Sequence, residues 1–132
     1  MDTLRWLHLS DVHFSDGESY EIKRMRDSII DKMKEVFEKN KVDFVVLSGD
    51  LAYQGGGYDA NLKKFIESLV DVSGVSIDEL FIVPGNHDLK RTQMRSVLLN
   101  GMRTEQFKFE KETIEQLQKD FKKYMTFYNK VK

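Results

Sequence analysis

Three short clusters concentrate the residues able to bind a metal or move a proton: Ser10-Asp11-Val12-His13, Ser48-Gly49-Asp50 and Pro84-Gly85-Asn86-His87-Asp88. Asp and His are ligands for first-row divalent ions, and an Asn carbonyl adds a neutral oxygen donor. In Asp11-x-His13, two side chains near one strand end can turn onto a single ion. Asp50, in the middle cluster, has two oxygens, so it can bridge two ions. A pair of ions about 3.5–4 Å apart is the usual clamp for in-line attack on phosphorus. Gly49 and Gly85 let the backbone turn sharply and come close to such a site.

These clusters can cooperate only if the chain brings them together. "LRWLHLS" (4–10), "VDFVVLS" (42–48) and "ELFIV" (79–83) are short apolar runs that read as strands. The second is nearly continuous in apolar character, which suits a parallel strand covered on both faces. Between them lie two helical patterns. Residues 19–39 place Ile22, Met25, Ile29, Met33 and Val36/Phe37 at helical spacing. Residues 60–72 do the same with Leu62, Phe65, Ile66, Leu69 and Val70, with Gly74 as the stop. The order strand, helix, strand, helix, strand predicts two right-handed βαβ units and a parallel α/β sheet. Loops after parallel strands emerge at one edge, where ligands bind. From Asp11 to Asp50 is 39 residues and from Asp50 to Asn86 is 36, each a βαβ repeat. The fold thus predicts that Asp11, His13, Asp50, Asn86 and His87 share one edge.

Residues 89–103 carry a weaker helical pattern on Met94, Val97 and Leu98. Residues 110–131 read as one long helix with Ile114, Leu117, Phe121, Tyr124, Tyr128 and Val131 on one face.

Composition agrees with a soluble globular chain. Of 132 residues, 40% are hydrophobic and 33% charged, with a net charge of −1, so no general nucleic-acid or membrane-surface footprint is expected. The length suits one domain with a real core. With no Cys, disulfides and thiolate metal sites are excluded. The start lacks the apolar region of a secretory leader, and no apolar stretch approaches the ~20 residues of a membrane span. A cytoplasmic protein without membrane partners is expected.

"SDVH", "SGD" and "PGNHD", in order and each after a strand, resemble the first three motifs of the calcineurin-like metallophosphoesterases. The resemblance covers residues 4–88. It implies an α/β fold in which residues 1–88 are the motif-bearing βαβαβ half of an α/β/β/α sandwich and residues 89–132 a helical extension or insertion. It implies a phosphoesterase acting on a phosphomonoester or phosphodiester, nucleotides and nucleic acids included, through two divalent metal ions. Mn²⁺ leads as the cofactor, with Fe, Zn and Ni as alternatives. By position, Asp11 and His13 would bind the first metal, Asp50 both, and Asn86 the second. His87 would face the substrate phosphate and protonate the leaving oxygen, and Asp88 would orient His87. The nucleophile would be a metal-activated water.

The pattern also breaks. The family supplies three further His ligands from a later half, and this chain has His8, His13 and His87 alone. The residues at hand amount to a half-site, completed by a C-terminal remainder of a longer protein or by another chain. The alternative reading is a non-catalytic nucleotide- or partner-binding module of a multidomain regulator. Among the remaining candidates, His8 reads as a packed strand residue and Gly55–Gly57 as a turn with access to a substrate pocket. Lys90, Arg91 and Arg95 read as surface charges within reach of a phosphate. The aromatic stripe of the last helix reads as a core face against sequence beyond this chain.

Overall fold

The computed structural model describes residues 3–132 except 16, 18, 91 and 105–109. Three strands, β1 (Trp6–Ser10), β2 (Phe44–Ser48) and β3 (Leu80–Val83), form a parallel sheet in the order β1-β2-β3. Leu9 pairs with Leu47, which pairs with Ile82. The crossovers are helices α1 (Tyr20–Phe37) and α2 (Ala60–Ser73). α1 starts at Ser19, whose hydroxyl accepts from the Ile22 amide at 3.4 Å. α2 starts at Asp59, which accepts from Asn61 and Leu62, and it ends at Gly74 in the left-handed conformation (φ 70°).

Strands laid down in sequential order by right-handed crossovers put both helices on the same sheet face. Val45, Leu47, Leu80 and Ile82 of that face pack with Leu62, Phe65, Ile66 and Leu69 of α2. The opposite face is not covered among the described residues: Trp6 is 57% exposed and Phe81 52%. β2 therefore alternates, with Val45 and Leu47 buried and Phe44, Val46 and Ser48 half-buried. This corrects the expectation of cover on both faces. His8 lies on the open face, where its Nε2 meets the Ser48 hydroxyl at 2.5 Å; it is exposed rather than packed.

α1 is rotated from the face expected of it. Ile22, Met25, Ile29 and Val36 are exposed, while Arg26 is buried and Ile30 and Met33 pack on the core. The inward row runs 26, 30, 33, at helical spacing, with a charged residue where an apolar one was expected.

The C-terminal segment forms α3 (Gln93–Arg103), α4 (Lys111–Gln118), a 3₁₀ turn (Lys119–Phe121) and α5 (Lys122–Val131). The single helix expected over 110–131 is thus interrupted by one tighter turn. Its aromatic stripe packs on this chain's own sheet: Tyr124 and Phe127 are buried in the core cluster, and the Tyr124 hydroxyl donates to the Ile82 carbonyl at 3.0 Å. Arg95 of α3 pairs with Asp120 at 3.5 Å, with both side chains mostly buried, so it is not a solvated surface charge. Among the described residues no helix is long and apolar enough to cross a membrane.

Candidate metal centre

The chain after β1 does not leave the sheet at once. It runs on beside the loop after β2: the Asp11 amide donates to Gly49 O at 3.2 Å, His13 to Asp50 O at 2.9 Å and Phe14 to Leu51 O at 2.8 Å. The Gly49 amide in turn donates to Val83 O at 2.9 Å. The three strand ends are thereby stitched together beyond the regular ladder.

Inside this stitching the backbone is strained at the expected ligands. Among the described non-glycine residues, four have positive φ: Asp11 (57°), His13 (48°), Asp50 (47°) and Gln54 (51°). Left-handed conformations cost an L-residue roughly 1–2 kcal/mol, and such outliers gather at functional sites. Three of the four are residues that the sequence marks as metal ligands. Their positions converge: ligand atoms of Asp11, His13 and Asp50 all lie within 4.8 Å of one another. His13 Nε2 is 3.9 Å from Asp11 Oδ1.

The third loop is held against Asp50. The His87 amide donates to Asp50 Oδ1 at 2.7 Å. Gly85 lies so close that a Cβ there would fall 2.3 Å from Asp50 Oδ1 and 2.4 Å from Asp50 N, so no larger residue fits without displacing the carboxylate. Asn86, between them, is exposed at the same edge. The His87 ring stands 5.3 Å from that of His13, edge to face. The structure thus brings the His13 and His87 rings together and packs the Asn86–His87 loop on Asp50.

Asp88 takes a place different from the one expected of it. Its carboxylate is fully buried and accepts four hydrogen bonds, from the amides of Leu51 (3.1 Å), Ala52 (2.7 Å) and Gly85 (2.7 Å) and from the Tyr58 hydroxyl (2.7 Å). Each oxygen takes two of these donors, which fills the usual acceptor capacity of a carboxylate. Asp88 therefore ties the loop after β2 to the loop after β3. Burial, and then the bond to Asp88, raise the Tyr58 pKa far above the ordinary phenol value, so the hydroxyl stays a donor.

Two aromatic neighbours escaped the sequence reading. Tyr53 stacks on His87 with centroids 5.4 Å apart and planes 16° apart, and it meets His13 edge-on at 6.1 Å. Tyr58 sits in the same loop, where its hydroxyl donates to Asp88. The available signal was an aromatic three residues beyond Asp50, which loop chemistry does not require. Gly55–Gly57 proves to be part of the scaffold: the Gly55 amide donates to the His87 carbonyl at 2.9 Å. Lys90 is exposed, and Arg91 lies outside the described residues.

A metal fits the donor set. Two carboxylates and an imidazole suit first-row divalent ions. The His13 Nδ1 atom is buried with no hydrogen-bond partner among the described residues, although a buried ring nitrogen ordinarily has one.

Comparison with known proteins agrees. The family model for calcineurin-like phosphoesterases matches residues 4–131. The uncharacterized metallophosphoesterase-like protein YydB of Bacillus subtilis (strain 168) is 31% identical over 99 residues, which cover 75% of this chain and 20% of YydB. A threonine–tRNA ligase of Mycoplasmopsis pulmonis (strain UAB CTIP) is 28% identical over 61 residues, 46% of this chain and 10% of that protein. The chain thus spans a fifth or less of the length of these relatives.

Proposed function

We propose, from the premise that this chain belongs to the calcineurin-like phosphoesterase family, that it carries part of the active site of a metal-dependent hydrolase of phosphoric esters. The observation that carries the reading is the meeting of Asp11, His13 and Asp50 on left-handed backbone at one sheet edge. Asp11 and His13 would hold one divalent cation, Mn²⁺ first among the candidates. Asp50 would be shared with a second cation, which Asn86 would also help to hold. Further donors come from beyond these residues or from another chain. The chemistry supplied by bound cations is polarisation of the phosphoryl oxygens and acidification of a water for attack.

The chain's own residues do the rest. His87 stands beside His13, with ring centroids 5.3 Å apart, and its imidazole would pass a proton to a leaving oxygen. Tyr53, stacked on the ring, limits its rotation. The His87 amide bound to Asp50 Oδ1 fixes the distance between proton donor and ligand. Asp88 holds the two loops that carry them.

The test is hydrolysis of p-nitrophenyl phosphate and bis(p-nitrophenyl) phosphate by the protein at its natural length, with and without Mn²⁺. Asp50→Asn and His87→Ala are each expected to lose roughly 100-fold or more in kcat. Full activity in both variants refutes the assignment. The ratio between the two substrates separates monoesterase from diesterase.

A further inference from the structure

Arg26 is the charged residue on the inward face of α1. It is 6% exposed, and its guanidinium lies 3.5 Å from the centroid of the Phe14 ring. One terminal nitrogen, Nη2, donates to two successive carbonyls, Val12 O at 3.1 Å and His13 O at 3.4 Å.

That pairing constrains the backbone. In an extended chain, successive carbonyls point to opposite sides, so one nitrogen cannot reach both. The two carbonyls flank the Cα of His13, and they converge only if that residue turns. His13 does turn, with φ at 48°. The bond to Val12 is well within normal length and the one to His13 is longer, so the first is the anchor and the second a weaker brace. A buried guanidinium is costly unless its donors are satisfied, and an aliphatic residue here would extend the core. The planar fork instead supplies several donors in fixed geometry, which a Lys cannot.

We propose that Arg26 is the positioning residue of the metal centre: it holds the Val12–His13 backbone in the left-handed turn that presents the His13 imidazole beside Asp11 and Asp50. This rests on the metal-centre reading above. Phe14 completes the arrangement, since its ring carries the guanidinium while its amide and carbonyl bond to Leu51 and Tyr53 in the loop after β2. Arg26 thereby links α1 to the strand-end loops.

The experiment compares wild type, Arg26→Met, Arg26→Lys and Asp50→Asn at natural length. Two quantities are read: Mn²⁺ affinity by calorimetry, and hydrogen exchange of the His13 and Phe14 amides in metal-free protein. Arg26→Met keeps the stem and loses the fork. It is expected to bind Mn²⁺ about 10–100-fold more weakly, the range usual for loss of a ligand-supporting contact. The His13 and Phe14 amides should exchange faster while Leu47, in the core of β2, keeps its protection. Arg26→Lys should recover part of both. Unchanged Mn²⁺ affinity in Arg26→Met overturns the proposal, as does exchange that rises evenly across β1, β2 and β3, the mark of a core stabiliser only. If Arg26→Met does not fold, the same two criteria apply to Arg26→Lys. Wild type that shows no Mn²⁺ binding sensitive to Asp50→Asn brings down the metal reading itself. Binding in wild type that Arg26 variants leave intact brings down only the role of Arg26.

Discussion

Asp88→Asn separates two roles for the residue that follows His87. If Asp88 chiefly orients His87, the amide should impair catalysis and leave stability nearly intact. The geometry predicts the reverse weighting. The carboxylate accepts from three backbone amides and one hydroxyl, all at 2.7–3.1 Å and out of water. Asn is the same shape but has one acceptor oxygen, and its NH₂ group would confront two of the four donors. Hydrogen bonds to a charged group contribute about 1.5–3 kcal/mol each. Losing two costs about 3–6 kcal/mol, a large share of the roughly 5–15 kcal/mol that holds a typical domain together. At a few degrees per kcal/mol for a chain of this size, the midpoint should fall by roughly 10 °C or more. Differential scanning calorimetry in metal-free buffer reads this directly, because no cation can then mask a loss of scaffold. A midpoint within about 2 °C of wild type refutes the claim that Asp88 is a scaffold clamp.

Gly85→Ala should damage the centre through space alone. The added Cβ would lie 2.3 Å from Asp50 Oδ1, and Mn²⁺ affinity is expected to fall about tenfold or more, measured by calorimetry; an unchanged affinity shows that the loop relaxes freely. The pH dependence of stability carries a second signature. Burial, followed by the nearby Tyr128 and Asp88, pushes the Tyr124 pKa up to about 12 from the ordinary 10.0. The neutral phenol is therefore favoured in the folded state, and its contribution is complete below pH 10 and lost as pH rises towards 12. Urea midpoints across that window should decline, and Tyr124→Phe should decline less while being about 1 kcal/mol weaker at pH 7 for want of the bond to Ile82 O. Identical pH profiles for the two proteins contradict the assignment.

The strand ends were legible because their residue types had no reason to occur together in plain turns. The βαβ spacing then forced them to one edge, and Gly74 marked the end of α2 where the left-handed cap is found. Periodicity misjudged α1, because Arg26 occupies a core-facing position and a hydropathy pattern skips a charged residue. The pattern therefore points to Ile22, Met25 and Ile29 as the inward stripe, and these are exposed. Asp88 was legible as important but not as a clamp between loops, since two of its four donors are backbone amides 36 and 37 residues away, which leave no trace in side-chain types. That the second face of the sheet is uncovered among the described residues was hidden for a related reason. Continuous apolar runs indicate strands that can be buried on both sides, and they do not say what lies on the second side. The packing of Tyr124 on the chain's own sheet was not legible, because helical periodicity identifies a face and not its partner.

The open sheet face also gives the protein a built-in optical label. Trp6 is the sole tryptophan of the sequence, and it sits at the start of β1 on that face, its ring parallel to Phe44 at 5.9 Å and more than half exposed. The metal loops leave from the other end of the strand, roughly 15 Å away at about 3.3 Å per residue. Its emission should therefore be that of a wet indole, blind to cations at the strand ends. Anything that settles over Trp6, Phe44 and Phe81 would move the emission to the blue. Occupancy of the sheet face can thus be followed by Trp6 emission without interference from cations at the strand ends.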